Sequence, residues 1–167
     1  MEAEHTSVTA EVPKEDVDRL IRYHVWGAMG IGLIPFPIID YVGLTGIQLN
    51  MLRKLAQTYH IPFFKDRVRT IISPLIGAAI PGFVGAPLAV SLSKMIPVLG
   101  QTAGVITMPI VAGATTYAIG KIFVQHFASG GTFLTFDPDK VKAYYTELLH
   151  EGQQVASEMK KERAAKS

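Results

Sequence analysis

The sequence predicts an all-α protein of five or six helices around a central hydrophobic hairpin rich in glycine and proline. Three observations lead there. No stretch of useful length alternates polar and apolar residues as a half-buried strand does. Apolar residues recur at helical spacing on both sides of the chain's middle. The middle itself, residues 70–120, carries a single charge, Lys94.

Residues 1–12 read as a polar, disordered tail, and 13–163 as one helical domain. Pro13 suits the first turn of a helix, and Lys14, Glu15 and Asp16 follow it. Leu20, Ile21, His24 and Val25 then keep helical spacing. This helix has to stop near Ile34 or Phe36, because each precedes a proline that disfavours the α region. Pro37 opens a second helix. Asp40 falls in its first turn, where a carboxylate meets the positive end of the helix dipole for about 0.3–1 kcal/mol. That helix runs to about His60. Asn50, Arg53, Lys54 and Gln57 form its polar stripe, and Ile47, Met51, Leu52, Leu55 and Tyr59 its apolar side. Residues 13–60 therefore read as an N-terminal helical hairpin stopped by Pro62.

A charged collar, "KDRVR" at 65–69, leads into two uncharged runs. Residues 70–93 and 95–120 are 24 and 26 residues long, and a bilayer-spanning helix needs about 20 apolar residues. The expectation is a membrane-inserted hairpin. Gly77, Gly82 and Gly85 would let one arm approach the other, and Gly100 and Gly104 form a G-x-x-x-G on the second. Lys65, Arg67, Arg69 and Lys121 flank the runs, and the tip carries only Lys94. The positive-inside rule then puts both termini in the cytoplasm. Pro74, Pro81 and Pro87 argue for short broken helices, or for a hairpin buried in protein. Under that second arrangement, two central helices need cover from three outer ones. After "ASGGTF", a turn or linker, Asp137 is a candidate N-cap and Pro138 a candidate first residue of a C-terminal amphipathic helix, 137–163.

Composition narrows the function classes. Charged residues make up 18% of the 167, and the formal net charge is +2. That offers no basic stripe for nucleic acid. Without cysteine there is no disulfide, thiolate zinc site or cysteine nucleophile. The acidic N-terminus lacks the basic and apolar regions of a secretory signal, so an internal segment has to direct any membrane entry. The five histidines, at 5, 24, 60, 126 and 150, show no metal-ligand spacing. No phosphate-binding glycine loop is present. No nucleophile, base and orienter group together, so no enzyme, metal or cofactor is expected. Gln48 lies two turns beyond Asp40 and reads as an interhelical hydrogen-bonding group. Gln101, Thr107, Thr115 and Thr116 are candidates to bond carbonyls freed by Pro109. Trp26 fits a membrane interface and a core equally.

The stretch "GLIPFPIIDYVGLTGIQLNMLRKLAQTYHIP" resembles the signature of a hydrophobic helical domain family of unknown function, related to the YcjF inner-membrane proteins. Gly32, Pro35, Pro37, Asp40, Leu44, Gln48, Met51, Leu55, Ala56 and Tyr59 take the signature's places. His60 stands where the family usually has a helix-capping glycine. The likeness extends loosely over 17–156. It implies a membrane-associated domain beside, or fused to, Era-like GTPases, with no catalytic residues to carry over.

The leading expectation is a non-enzymatic anchor or scaffold in the inner, cytoplasmic membrane. Its partners would be the lipid bilayer and a soluble protein, a GTPase among the candidates, or a second copy of itself. Two alternatives stand beside it. One is a soluble helical protein whose buried hairpin binds lipid or inserts on a trigger. The other is a small channel or transporter subunit using Asp40 and the threonines.

Overall fold

A computed structural model of the protein describes residues 12–34, 37–79 and 108–167, with residues 37–40 and 78 by their backbone alone. Among the described residues the fold is all-α, with five helices and no strand.

The first helix, α1 (Lys14–Ile31), starts after Pro13, whose carbonyl accepts from the Asp16 and Val17 N–H groups. Glu15 and Asp16 lie in its first turn, where the helix dipole favours them. Val17, Ile21, His24, Val25, Ala28 and Met29 make its buried stripe. The helix ends at Gly32, three residues before Pro35.

The second helix, α2 (Pro37–Thr58), opens on Pro37. Its predicted polar stripe of Asn50, Arg53, Lys54 and Gln57 is exposed, and Met51, Leu52, Leu55 and Ala56 are fully buried. It closes with paired capping bonds. The Ile61 N–H reaches the Ala56 carbonyl at 2.8 Å and the His60 N–H reaches Gln57 at 3.2 Å. His60 itself takes φ 56°, the left-handed conformation. This is a Schellman motif with histidine at the position that usually takes glycine.

The third helix, α3 (Lys65–Ala79), begins in the charged collar and runs through Pro74 without breaking. Pro74 and Thr70 are both exposed, so the Thr70 carbonyl that loses its N–H partner lies toward water. Val68, Ile72, Leu75 and Ile76 face the core.

The fourth helix, α4 (Met108–Ala128), is the centre of the bundle. Every residue from Ala112 to Gly120 is buried, so α4 has no outward face over that span. Its walls are α1, α2, α3 and α5 (Lys142–Ala165). This corrects the expected membrane hairpin. The apolar run at 108–120 is surrounded by protein, and among the described residues no helix is long and apolar enough to cross a membrane. The rest of the expected hairpin, with Gly82, Gly85, Gly100 and Gly104, lies outside the described residues.

The helix α5 begins at Lys142, five residues past Asp137, whose carboxylate instead accepts from the Asp139 N–H in a local turn. It lies antiparallel across α4, with Glu151 bonded to Tyr117 and Ala156 against Gly113. It then passes over α1, where Glu162 meets Arg22 and Arg163 covers Trp26. The backbones of α4 and α5 come close. A Cβ built on Gly152 would lie 2.8 Å from the Ala114 carbonyl oxygen. The 129–141 connection returns two aromatics to the core. Phe136 stacks on Phe123 at 4.4 Å, and Phe133 meets Phe127 at 5.1 Å and Phe63 at 5.8 Å. This plug seals the end of the bundle where α2, α3 and α4 join their loops.

Candidate functional site

Three features stand out against this apolar scaffold: a polar layer inside it, a groove on its side, and a difference between its two ends.

The polar layer links α1, α2 and α4. The Gln48 side chain is fully buried, and its Nε2 donates to Thr116 Oγ1 at 3.2 Å. Thr116 in turn donates to the Ala112 carbonyl at 2.9 Å. Gln48 Oε1 is buried without a hydrogen-bond partner among the described residues. Nearby, His24 Nδ1 bonds the Leu20 carbonyl at 2.8 Å, which requires a proton on Nδ1. Its Nε2 then accepts from Asn50 Nδ2 at 3.1 Å. Burial holds His24 below the usual histidine range. The Leu20 carbonyl opposes that shift, and the Lys54 charge adds to it. On the far side of α4, the buried Tyr145 hydroxyl donates to the Leu75 carbonyl at 2.7 Å, tying α5 to the last turns of α3. Burial raises this phenol well above its ordinary value, and Thr115 pulls weakly the other way. Both His24 ring nitrogens, the Gln48 amide nitrogen and the Tyr145 and Thr116 hydroxyls are taken up by bonds within the protein, so the layer ties the helices to one another.

The groove lies between α1, α2 and the end of α5. It has a volume of about 510 Å³ and is lined by Tyr23, His24, Trp26, Gly27, Ile47, Asn50 and Arg163. Two cations sit on its aromatic walls. The Arg163 guanidinium is 5.7 Å from the Trp26 ring centroid, and Lys54 Nζ is 5.7 Å from that of Tyr23.

The ends of the bundle differ in charge. In α1 the charged residues stop at Arg22, and in α2 they resume at Arg53 and Lys54. In α3 they stop at Arg69, and in α4 the first is Lys121. Because α1, α2, α3 and α4 alternate in direction along the chain, these four groups share one end. Lys121 Nζ meets Asp18 Oδ1 there at 2.7 Å. The opposite end holds the α1–α2 corner and the start of α4. Gly32 lies against the Pro109 backbone, where a Cβ would meet Pro109 Cα at 2.8 Å. Around it Leu33 is 72%, Val42 60%, Met108 41% and Ile34 39% exposed. Asp40 is the one charged residue between Arg22 and Arg53.

Residues 5–154 match the family model described as Domain of unknown function (DUF697). The chain belongs to the DUF697 family. It is 34% identical over 148 residues to magnetosome membrane protein 22 of Magnetospirillum gryphiswaldense, covering 89% of this chain and 76% of the relative. No solved structure matches.

In this DUF697 chain Gly32, Gln48, Met51 and Tyr59 of the signature make packing or hydrogen-bond contacts between helices. Gly32 permits the close approach to Pro109, and Pro37 is the first residue of α2. Asp40 is the fourth residue of that helix, and Pro35 lies outside the described residues. Gln48 makes the expected interhelical bond, Met51 is fully buried against Gly120, and Tyr59 leans on Phe127 at 5.8 Å. Gly77 is half-buried in α3. The threonines do not serve Pro109. Pro109 is the second residue of α4, where no helical N–H partner is lost. Thr115 bonds Val111 and Thr116 bonds Ala112 within α4, while Gln101 and Thr107 lie outside the described residues. No group of three or more His, Asp or Glu among the described residues is placed to hold a metal.

Sequence reasoning missed the α4–α5 seam of Gly113, Ala114, Gly152 and Ala156. Its signal was the small-x-x-x-small pair Gly152 and Ala156, hidden in a helix otherwise read as amphipathic. It also missed the apolar corner, because Leu33 and Ile34 looked like the tail of an apolar helix.

Proposed function

We propose that this protein is a non-enzymatic, membrane-associated helical scaffold of the inner, cytoplasmic membrane, with both termini cytoplasmic. The observation that carries the reading is the segregation of charge to one end of α1–α4. A bundle free in water gains nothing from keeping one end uncharged. At a membrane, the uncharged end meets lipid and the charged end meets water and anionic headgroups. Residues 80–107 carry Lys94 as their single charge, and this apolar segment is the membrane attachment. The name of the magnetosome relative supports membrane association as the shared property.

The soluble partner meets the groove. Aromatic walls beside Lys54 and Arg163 suit an acidic segment of another protein. The resemblance to YcjF proteins makes an Era-like GTPase the partner class to test first. The described residues offer no constellation for catalysis, so recruitment is the function that fits.

Fractionation tests the reading. Expressed protein is expected in the membrane pellet, retained after a carbonate wash and released by detergent. Recovery of monodisperse protein from the soluble fraction without detergent would refute it. Recruitment is tested by co-elution with a purified Era-like GTPase. Co-elution is expected, and Arg163→Glu should abolish it. Two separate peaks with the unaltered chain would remove the GTPase from the proposal.

A further inference from the structure

The apolar corner deepens that reading. We propose that Leu33 and Ile34, with Met108 and Val42 beside them, enter the interfacial layer of a lipid bilayer and hold the bundle end-on to the membrane. The inference rests on membrane association and adds a second contact that fixes orientation.

Four observations converge. The four side chains are large, apolar and exposed, with Leu33 at 72% and Val42 at 60%. Soluble proteins leave such residues exposed singly, whereas grouped ones mark an interaction surface. The backbone stretches that carry these four meet at the corner. Gly32 lies on the Met108–Pro109 backbone, and Gly43, next to Val42, lies against Ile31.

The second observation is the exit of the uncharged segment. Met108, where 80–107 ends, is itself part of the corner. Ala79, where that segment begins, lies on the same side. Tyr41 Oη near the start of α2 reaches Ser73 Oγ at 3.4 Å. From Ser73, α3 continues six residues to Ala79, about 9 Å along its axis.

The third is charge. No Lys, Arg, Asp or Glu lies between Arg22 and Arg53 except Asp40, nor in the parts of α3 and α4 that reach this end. Asp40 is the fourth residue of α2 and stands six residues beyond Ile34.

The fourth is the contrast with the opposite end, where Phe64 and Leu134 are also exposed, at 53% and 62%, but Phe64 leads directly into Lys65, Asp66 and Arg67 and the Lys121–Asp18 ion pair lies on the same end. A lipid surface is therefore the occupant that suits both the exposed corner and the segment beside it.

The chain has no cysteine, so single-cysteine variants of the full chain give a clean test. Leu33→Cys and Ser129→Cys each carry an environment-sensitive NBD probe. Leu33 is exposed at the corner and Ser129 is exposed at the far end of α4. Each variant is mixed with phosphatidylcholine vesicles containing one quarter phosphatidylglycerol and floated on a gradient. The expected result is flotation of both, with emission from position 33 blue-shifted several-fold brighter and quenched by spin-labelled lipid. Position 129 should stay at its aqueous value. Leu33→Glu with Ile34→Glu should weaken vesicle partitioning at least about tenfold.

Failure to float would overturn the membrane reading itself. Flotation with an unchanged probe at position 33 would overturn the corner alone. A shift at position 33 without lipid also overturns it. If that shift grows with protein concentration, a second copy covers the corner, and if not, the chain's own 80–107 segment does.

Discussion

Replacing His60 with glycine should stabilise the protein. His60 holds φ 56° at the end of α2, the one non-glycine residue with positive φ among those described. An L-residue there costs about 1–2 kcal/mol, and histidine is among the residues that tolerate it best, so the lower figure applies. Glycine gives back about 0.5 kcal/mol through the greater freedom of its unfolded chain. The net gain is about 0.5 kcal/mol. The His60 side chain is exposed, so little packing is lost with it. For a chain of this size the gain raises Tm by about 1–2 °C. His60→Ala keeps the unfavourable conformation and should show no such gain, while the β-branched His60→Val should lower Tm. Thermal unfolding followed by helical circular dichroism, under identical conditions for all four proteins, reads the order. If His60→Gly melts no higher than the unaltered chain, or if alanine matches it, the backbone is not strained there and the reasoning fails.

Three further outcomes follow from the core. Gln48→Met removes a buried amide oxygen with no partner among the described residues, together with the Nε2–Thr116 bond; the two effects oppose each other and stability in chemical denaturation should change by no more than about 1 kcal/mol, whereas a loss above about 2 kcal/mol would mean that Oε1 is satisfied. His24 is held below its ordinary value, so the unfolded chain takes up a proton that the folded chain refuses. Stability is then full above about pH 6.5 and falls as pH drops below it; His24→Gln should flatten that slope, and an unchanged slope would assign it to other groups. Two glycines should respond with opposite sign. Gly152→Ala drives a methyl into the Ala114 backbone and should destabilise by about 1–3 kcal/mol. Gly46→Ala is exposed in α2 with nothing within 4 Å and should stabilise by about 0.5–1 kcal/mol. Equal effects at both sites would contradict the α4–α5 contact.

The first two helices were legible because their signals are local. Pro13 and Pro37 mark starts, Pro35 and Pro62 mark stops, and the stripe from Asn50 to Gln57 shows which side of α2 faces water. The fourth helix was not legible in the same way. A helix apolar on every side suits a bilayer and a protein core equally, and only its neighbours decide. Around 108–128 those neighbours are the other four helices. The polar layer shared this fate. Gln48 pointed inward by spacing, but its partner Thr116 stands 68 residues away, and no periodicity connects the two. Pro74 misled for a physical reason as well. Its cost falls on one carbonyl, and on an exposed face water absorbs it. Phe133 and Phe136 sit in a stretch that reads as a linker, and their place against Phe123 follows from how the chain returns after α4.

The position of α5 has a consequence for the order in which the protein is made. The seam of Gly113, Ala114 and Tyr117 on α4 is covered by Gly152, Glu151 and Ala156, which are synthesised later. From Ala128 at the end of α4, the ribosome has to add 28 residues to reach Ala156. At about 5–20 residues per second, that takes on the order of 1–6 s. During that interval the most apolar of the described helices has three walls and lacks its fourth. A nascent chain held near a membrane in those seconds meets lipid before it meets its own last helix.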